Sequence, residues 1–227
     1  MRCEFCGKGV AQTWQLWDFW QFKPKSQQPI CQDCWGKFTP IIGPTCQECG
    51  RASRQETCED CQVWLGEGYP PLKNQALFKY DAMMHDFFQQ YKFRGGYHLR
   101  TIFQEALQKR LAEVSVDMIV PIPVSPDTLA MRGFNQVNGL LEICEICEID
   151  DILCCISHNK SVQSLKTRQD RLNTAQPFMC QLGNLDLTGQ RICLVDDVYT
   201  TGRTLRHAAT CLYECGAKQI CTITLAR

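Results

Sequence analysis

No stretch of about 18 uninterrupted apolar residues occurs in the 227-residue chain, so nothing in it reads as a membrane-spanning helix. Net charge is also missing. Lys plus Arg and Asp plus Glu both number 24, so no global field advertises a nucleic-acid or membrane partner. The opening MRCEFCGKG has no basic stretch leading into an apolar one, and so lacks the form of a secretory signal. These absences lead to the expectation of a soluble, cytoplasmic protein without membrane insertion.

Cysteine, by contrast, is abundant. Of 17 cysteines, eight lie in the first 61 residues as four CxxC pairs: Cys3/Cys6, Cys31/Cys34, Cys46/Cys49 and Cys58/Cys61. A CxxC turn aims two thiolates at one point, which is half of a tetrahedral zinc site; with no export signal, metal is preferred to a disulfide scaffold. Four pairs suit two structural Zn2+ ions. CxxCG and CxxC pairs alternate, which favours two sequential ribbons, Cys3, Cys6, Cys31 and Cys34 on one ion and Cys46, Cys49, Cys58 and Cys61 on the other, with an interleaved cross-brace as the alternative. Gly7 and Gly50 suit tight turns whose amides point back at the sulfurs. The aromatic run Trp14 to Phe22, followed by Lys23 and Lys25, reads as ribbon core or domain interface, with a stacking platform for single-stranded nucleic acid as the second reading.

After about Tyr69 the pattern changes to amphipathic helices alternating with short apolar strands. Helices are expected over 80–93, 99–114, 135–147 and from Thr201 to a glycine stop at Gly216, and strands over 117–122, 152–156, 191–196 and 219–226. In the first helix Met83, Met84, Phe87, Phe88 and Tyr91 share one face. Cys144 and Cys147 form a fifth CxxC on an apolar segment and read as core. The expected organisation is a cysteine module over residues 1–66 and an α/β domain with a mostly parallel sheet over 67–227.

The run ICLVDDVYTTGRT, residues 192–204, carries the chemistry: an apolar strand, two acids, then a hydroxyl-rich turn into a helix. Turn amides and the positive end of the helix converge on an anion at such a strand end. Thr200, Thr201 and Thr204 add hydroxyl donors, and Gly202 allows close backbone approach to a phosphate. Asp196 and Asp197 can accept from vicinal sugar hydroxyls. The whole reads as a cradle for ribose 5-phosphate. Two adjacent acids ending a buried strand are costly without such a purpose.

That run resembles the phosphoribosyl-diphosphate (PRPP) binding motif of type I phosphoribosyltransferases. The resemblance implies that fold, with Asp196 and Asp197 on the ribose hydroxyls and the segment Val198, Tyr199, Thr200, Thr201, Gly202, Arg203 and Thr204 around the 5-phosphate. Arg203 has only a weak electrostatic role there. A narrower resemblance spans nearly the whole chain: VPIPVSPDTLAMRGFNQ (120–136), the paired cysteines and the ending TITLAR are similar to the ComF family of competence-associated proteins. It implies a part in uptake of transforming DNA and a ComFA-type ATPase partner. It also places Val124, Ser125 and Arg132 near the diphosphate, on a strand-end loop where a guanidinium can grip two oxygens at once.

Lys92 and Arg94, and a second basic stretch with Lys166, Arg168 and Arg171, in which Gln163, Leu165, Arg171 and Asn173 loosely follow the family spacing, are candidates to cover PRPP, with a solvated face or a guide for a DNA phosphate backbone as the alternatives. As an enzyme the domain would displace diphosphate from C1 of PRPP with a nitrogen nucleophile. Mg2+ would neutralise the leaving group and the two aspartates would stabilise an oxocarbenium-like transition state. The alternatives are a non-catalytic PRPP sensor, a single-stranded-DNA-binding adaptor and a docking module for the ATPase.

Overall fold

A computed structural model describes residues 2–9, 29–144, 149–156 and 176–227. The aromatic run with Lys23 and Lys25, Cys147, and the basic stretch from Gln163 to Asn173 lie outside the described residues.

Among the described residues the elements in chain order are α1 (Gln32–Trp35), α2 (Glu59–Gly66), β1 (Asn74–Phe78), α3 (Ala82–Phe93), a 3-10 segment Tyr97–Phe103, α4 (Gln104–Ala112), β2 (Met118–Pro121), α5 (Pro126–Arg132), α6 (Gln136–Leu141), β3 (Leu153–Cys155), β4 (Phe178–Cys180), β5 (Arg191–Val198), α7 (Arg203–Glu214) and β6 (Gln219–Ala226). Strands β1, β6, β5 and β2, in that order, form a sheet in which every pair is parallel. The strand expected over 152–156 is β3, but it pairs antiparallel with β4 in a separate two-stranded sheet. β1, β4 and α5 were not legible in the sequence. β1 is short and polar at its start, and α5 is about two Pro-led turns whose residues are not buried.

Alternation along β5 builds the core. Ile192 and Leu194 face α7 and its Leu205, Ala208, Ala209 and Leu212. Cys193 and Val195 face the opposite layer, where Phe87 and Tyr91 of α3, Phe103, Leu107 of α4 and Leu140 of α6 pack. α3 begins at Asp81, whose carboxylate caps Met84 N at 3.0 Å, and buries Met84, Phe87, Phe88 and Tyr91 as its apolar spacing requires, with Met83 half-buried. Cys144 is buried in this layer, as expected of a core residue. No helix of the described residues is long and apolar enough to cross a membrane.

Each cysteine tetrad is built in the same way. A knuckle closed by one antiparallel bridge, Arg2 with Gly9 or Thr45 with Ala52, carries the first pair. The second pair sits at a helix start: Cys31 is the N-cap of α1, which holds Cys34, and Cys58 is the N-cap of α2, which holds Cys61. Gly7 and Gly50 adopt φ of 72° and 71°. The glycine amides close the turns on the carbonyls of Cys3 and Cys46, while other backbone amides point at the sulfurs as the sequence suggested: Cys3 Sγ receives Cys6 N at 3.5 Å and Cys46 Sγ receives Cys58 N at 3.3 Å. A Cβ on Gly50 would lie 2.8 Å from the Asn74 carbonyl oxygen, so glycine is required for the second knuckle to rest on β1.

Candidate ribose-phosphate and metal sites

In a parallel sheet all carboxyl ends share one edge. Pro121 of β2 is in register with Val195 of β5, and Ile122 N donates to Val195 O at 2.9 Å, so the segment after β2 and the turn after β5 lie side by side. Asp196 and Asp197 are both buried there. The Asp196 carboxylate accepts Asp197 N at 2.8 Å and the Asp197 carboxylate accepts Val198 N at 2.7 Å. Strand alternation sends Asp197 toward α3, where Lys92 Nζ ion-pairs with Asp197 Oδ2 and lies 4.4 Å from the Phe88 ring centroid. Desolvation first, and then repulsion from Asp197, hold the Asp196 carboxyl well above the usual carboxylate range.

Arg132 is the last residue of α5, so the arginine expected on a loop stands on a helix. Its guanidinium bonds Gln136, stacks 5.3 Å from the Phe93 centroid, and is close enough to Asp197 for that charge to oppose the desolvation that lowers its pKa. Ser125, exposed, is the N-cap of α5 and receives Thr128 N at 3.2 Å, so its oxygen is already engaged in building the loop. Val124 and Arg132 line an open cavity of about 690 Å³, with Tyr97, Phe134 and Asn138 on its walls. Lys92, Arg132, Asp196 and Asp197 are therefore brought together; Arg94, the C-cap of α3, is exposed and outside that group.

The turn 199–202 leads into α7 through Gly202, whose φ is 81°. On the side where a Cβ would stand, Gly202 packs directly against the ring and hydroxyl of Tyr199, so no larger residue fits this turn. Tyr199 is itself 2% exposed, so its ring is a floor under the turn, and its N–H donates to Ala226 O at 2.9 Å. Thr200, Thr201 and Thr204 are exposed, Arg203 and Val198 half-buried.

Four residues that the sequence reading missed secure this turn. Trp64 Nε1 donates to Thr201 O at 3.1 Å; Arg227 Nη1 donates to Thr200 O at 2.8 Å and Tyr199 O at 3.3 Å. Arg206 of α7 is fully buried, donates to Pro70 O at 3.0 Å and lies 3.8 Å from the carboxylate of Glu48, which in turn accepts Leu72 N at 3.0 Å. A buried arginine in an amphipathic helix was the available signal. Arg206→Ala leaves Glu48 buried without its counter-charge, and urea unfolding is expected to show a loss of about 3 kcal/mol; Glu48→Gln, which keeps an acceptor for Leu72 N, should lose clearly less.

The sulfurs of Cys3, Cys6, Cys31 and Cys34 lie within 4.8 Å of one another, as do those of Cys46, Cys49, Cys58 and Cys61. This is the sequential pairing, not the cross-brace. Sulfur separations of 3.8 Å for Cys6/Cys31 and for Cys49/Cys58 match the roughly 3.8 Å edge of a tetrahedron with metal–sulfur bonds of about 2.3 Å, so both donor sets fit a metal ion. The second tetrad is wholly buried, whereas Cys6 is exposed and Cys31 half-exposed in the first.

A parallel sheet with two acids ending its central strand, followed by a hydroxyl-rich turn, defines a phosphoribosyltransferase-type domain, and residues 96–227 match the phosphoribosyl transferase domain family. The chain is 35% identical to Competence protein ComFC of Streptococcus pneumoniae over 227 residues, 100% of both chains, and 32% identical to Competence protein ComFC of Bacillus subtilis over 99% of this chain and 94% of that one. Competence protein F of Haemophilus influenzae is 25% identical over 88% of this chain and 85% of its own. The chain belongs to the ComF family of phosphoribosyltransferase-like proteins.

Proposed function

We propose that this protein is a competence-associated factor for the uptake or processing of transforming DNA that binds PRPP and transfers its phosphoribosyl group. The observation that carries this reading is the grouping of Asp196 and Asp197 with Lys92 and Arg132 beside the threonine-rich turn. Two carboxylates for ribose hydroxyls, an anion-accepting turn and a bidentate cation for diphosphate stand at one sheet edge. In the transfer, the bond from C1 to the diphosphate oxygen breaks and a bond from an acceptor nitrogen to C1 forms; Asp196 and Asp197 favour positive charge on the ribose while Arg132 takes up charge on the leaving group. Mg2+ arriving with PRPP would add to that neutralisation. Zinc as the metal of both tetrads, division of the chain at residues 66/67, a ComFA-type ATPase partner and a cytoplasmic location complete the reading.

Calorimetric titration of the wild type with PRPP and Mg2+ tests it. Asp197→Ala and Thr201→Ala are each expected to abolish measurable binding while leaving metal content unchanged, and a diphosphate-release assay separates transfer from sensing. Wild-type affinity in either variant would defeat the site assignment.

A further inference from the structure

The loop that this reading assigns to the 5-phosphate is tied to only one of the two cysteine tetrads. The carbonyls of three successive residues, Tyr199, Thr200 and Thr201, all accept hydrogen bonds from side chains at the second tetrad. Trp64 belongs to α2, the helix that starts at Cys58 and carries Cys61. Arg227, which holds the other two carbonyls, also donates through Nη2 to Cys49 Sγ at 3.6 Å. Beneath the loop, Arg206 reaches Glu48, which lies between Cys46 and Cys49. The first tetrad packs elsewhere, Cys3 and Cys34 against Phe38 and the layer of α3 and the 3-10 segment, with Glu4 accepting from Thr101 at 3.0 Å.

A trans peptide points its C=O and its N–H in opposite directions. Holding the carbonyls of Tyr199, Thr200 and Thr201 toward the tetrad therefore aims the N–H groups of Thr200, Thr201 and Gly202 away from it, toward the open face of the turn. No hydrogen bond among the described residues takes up these three N–H groups. Successive amides presented in this way form an anion-binding nest.

Resting on the PRPP reading, we propose that the second tetrad is a positioning element of the ribose-phosphate loop: Trp64 and Arg227, held in place by the metal-bound knuckle and α2, set the peptide planes that present the Thr200, Thr201 and Gly202 amides to the 5-phosphate. Metal occupancy of Cys46, Cys49, Cys58 and Cys61 and PRPP affinity are then thermodynamically coupled, and the first tetrad is not part of that coupling. By reciprocity, PRPP tightens metal binding at the second tetrad by the same factor that the metal tightens PRPP.

The test uses the full metal-loaded chain. Trp64→Phe keeps the ring and removes the donor; Arg227→Met removes both donors, and Arg227→Lys restores one. In titrations with PRPP and Mg2+, Trp64→Phe and Arg227→Met should each raise Kd about three- to tenfold, Arg227→Lys should recover part of the loss, and the ligand-free melting temperature should fall by no more than a few degrees, with both metal ions retained. In a chromogenic chelator assay PRPP should protect one of the two ions in the wild type and protect it less in Trp64→Phe. Wild-type Kd in both Trp64→Phe and Arg227→Met, or equal protection of both ions, overturns the coupling and leaves the proposed function standing. Failure of the wild type itself to bind PRPP overturns both.

Discussion

Cys46→Ser will release one of two bound metal ions and melt the wall beneath the ribose-phosphate turn, whereas Cys6→Ser will release the other ion at a smaller cost in stability. A closed four-thiolate site contributes folding free energy outright, on the order of 10 kcal/mol in isolated modules. In the second tetrad that energy holds more than the knuckle. Cys46, Cys49, Cys58 and Cys61 share a core with Leu72, Val120, Leu194 and Tyr199, so loosening the site uncovers apolar surface of the sheet itself. In the first tetrad the exposed Cys6 already faces water. Metal quantification alongside thermal melts checks this: metal content should fall from two ions to one in each variant, with the larger drop in melting temperature for Cys46→Ser. Unchanged stoichiometry in Cys46→Ser would refute the second site. The same difference in exposure predicts two-phase chelation of the wild type, the first ion leaving from Cys3, Cys6, Cys31 and Cys34.

Asp196→Asn is expected to move stability and binding in opposite directions. In the ligand-free protein Asp196 is buried beside Asp197, and its charged form is disfavoured by desolvation and by its neighbour. Asparagine keeps an oxygen for Asp197 N and removes the charge, which should stabilise the fold by about 1–3 kcal/mol, a few degrees in melting temperature. The sign with pH follows from linkage. The folded pKa lies above the unfolded value of about 4, so the folded state binds the proton more tightly and wild-type stability rises as pH falls through the folded pKa. The advantage of Asn over Asp is therefore largest at neutral and alkaline pH and shrinks toward pH of about 4. PRPP binding should meanwhile weaken about a hundred- to ten-thousandfold, the loss expected for two charge-assisted bonds to ribose hydroxyls. A variant that melts no higher than wild type at pH about 8, or that keeps wild-type affinity, contradicts the burial argument or the ribose assignment respectively.

The two buried acids are not equally costly in the free protein. Lys92 offsets one of the two charges, which is why Asp197 tolerates its position on the strand face opposite Asp196. From the sequence, Lys92 is expected to cover PRPP together with Arg94. The helix they share separates them: Lys92 falls on the flank that meets the strand ends, and Arg94, two residues on, is rotated to solvent at the cap.

What the sequence determined by itself is local. A CxxC spacing closes within one turn, so eight candidate metal ligands were legible, and their alternation with glycine pointed to the sequential grouping that the sulfur geometry displays. An apolar strand ending in two acids before TTGRT marks its own strand, turn and helix because each step depends only on neighbours a few residues away, and β5, Gly202 and α7 follow. What only the tertiary structure decided is which distant groups meet. Trp64 reaches Thr201 across 137 residues and Arg227 reaches Cys49 across 178, and no periodicity in either segment encodes the other. Such contacts arise when the parallel sheet brings the ends of β5 and β6 together and β1 seats the second knuckle beside them. Packing against the sheet, not local propensity, is what sets the second cysteine module beneath the turn after β5.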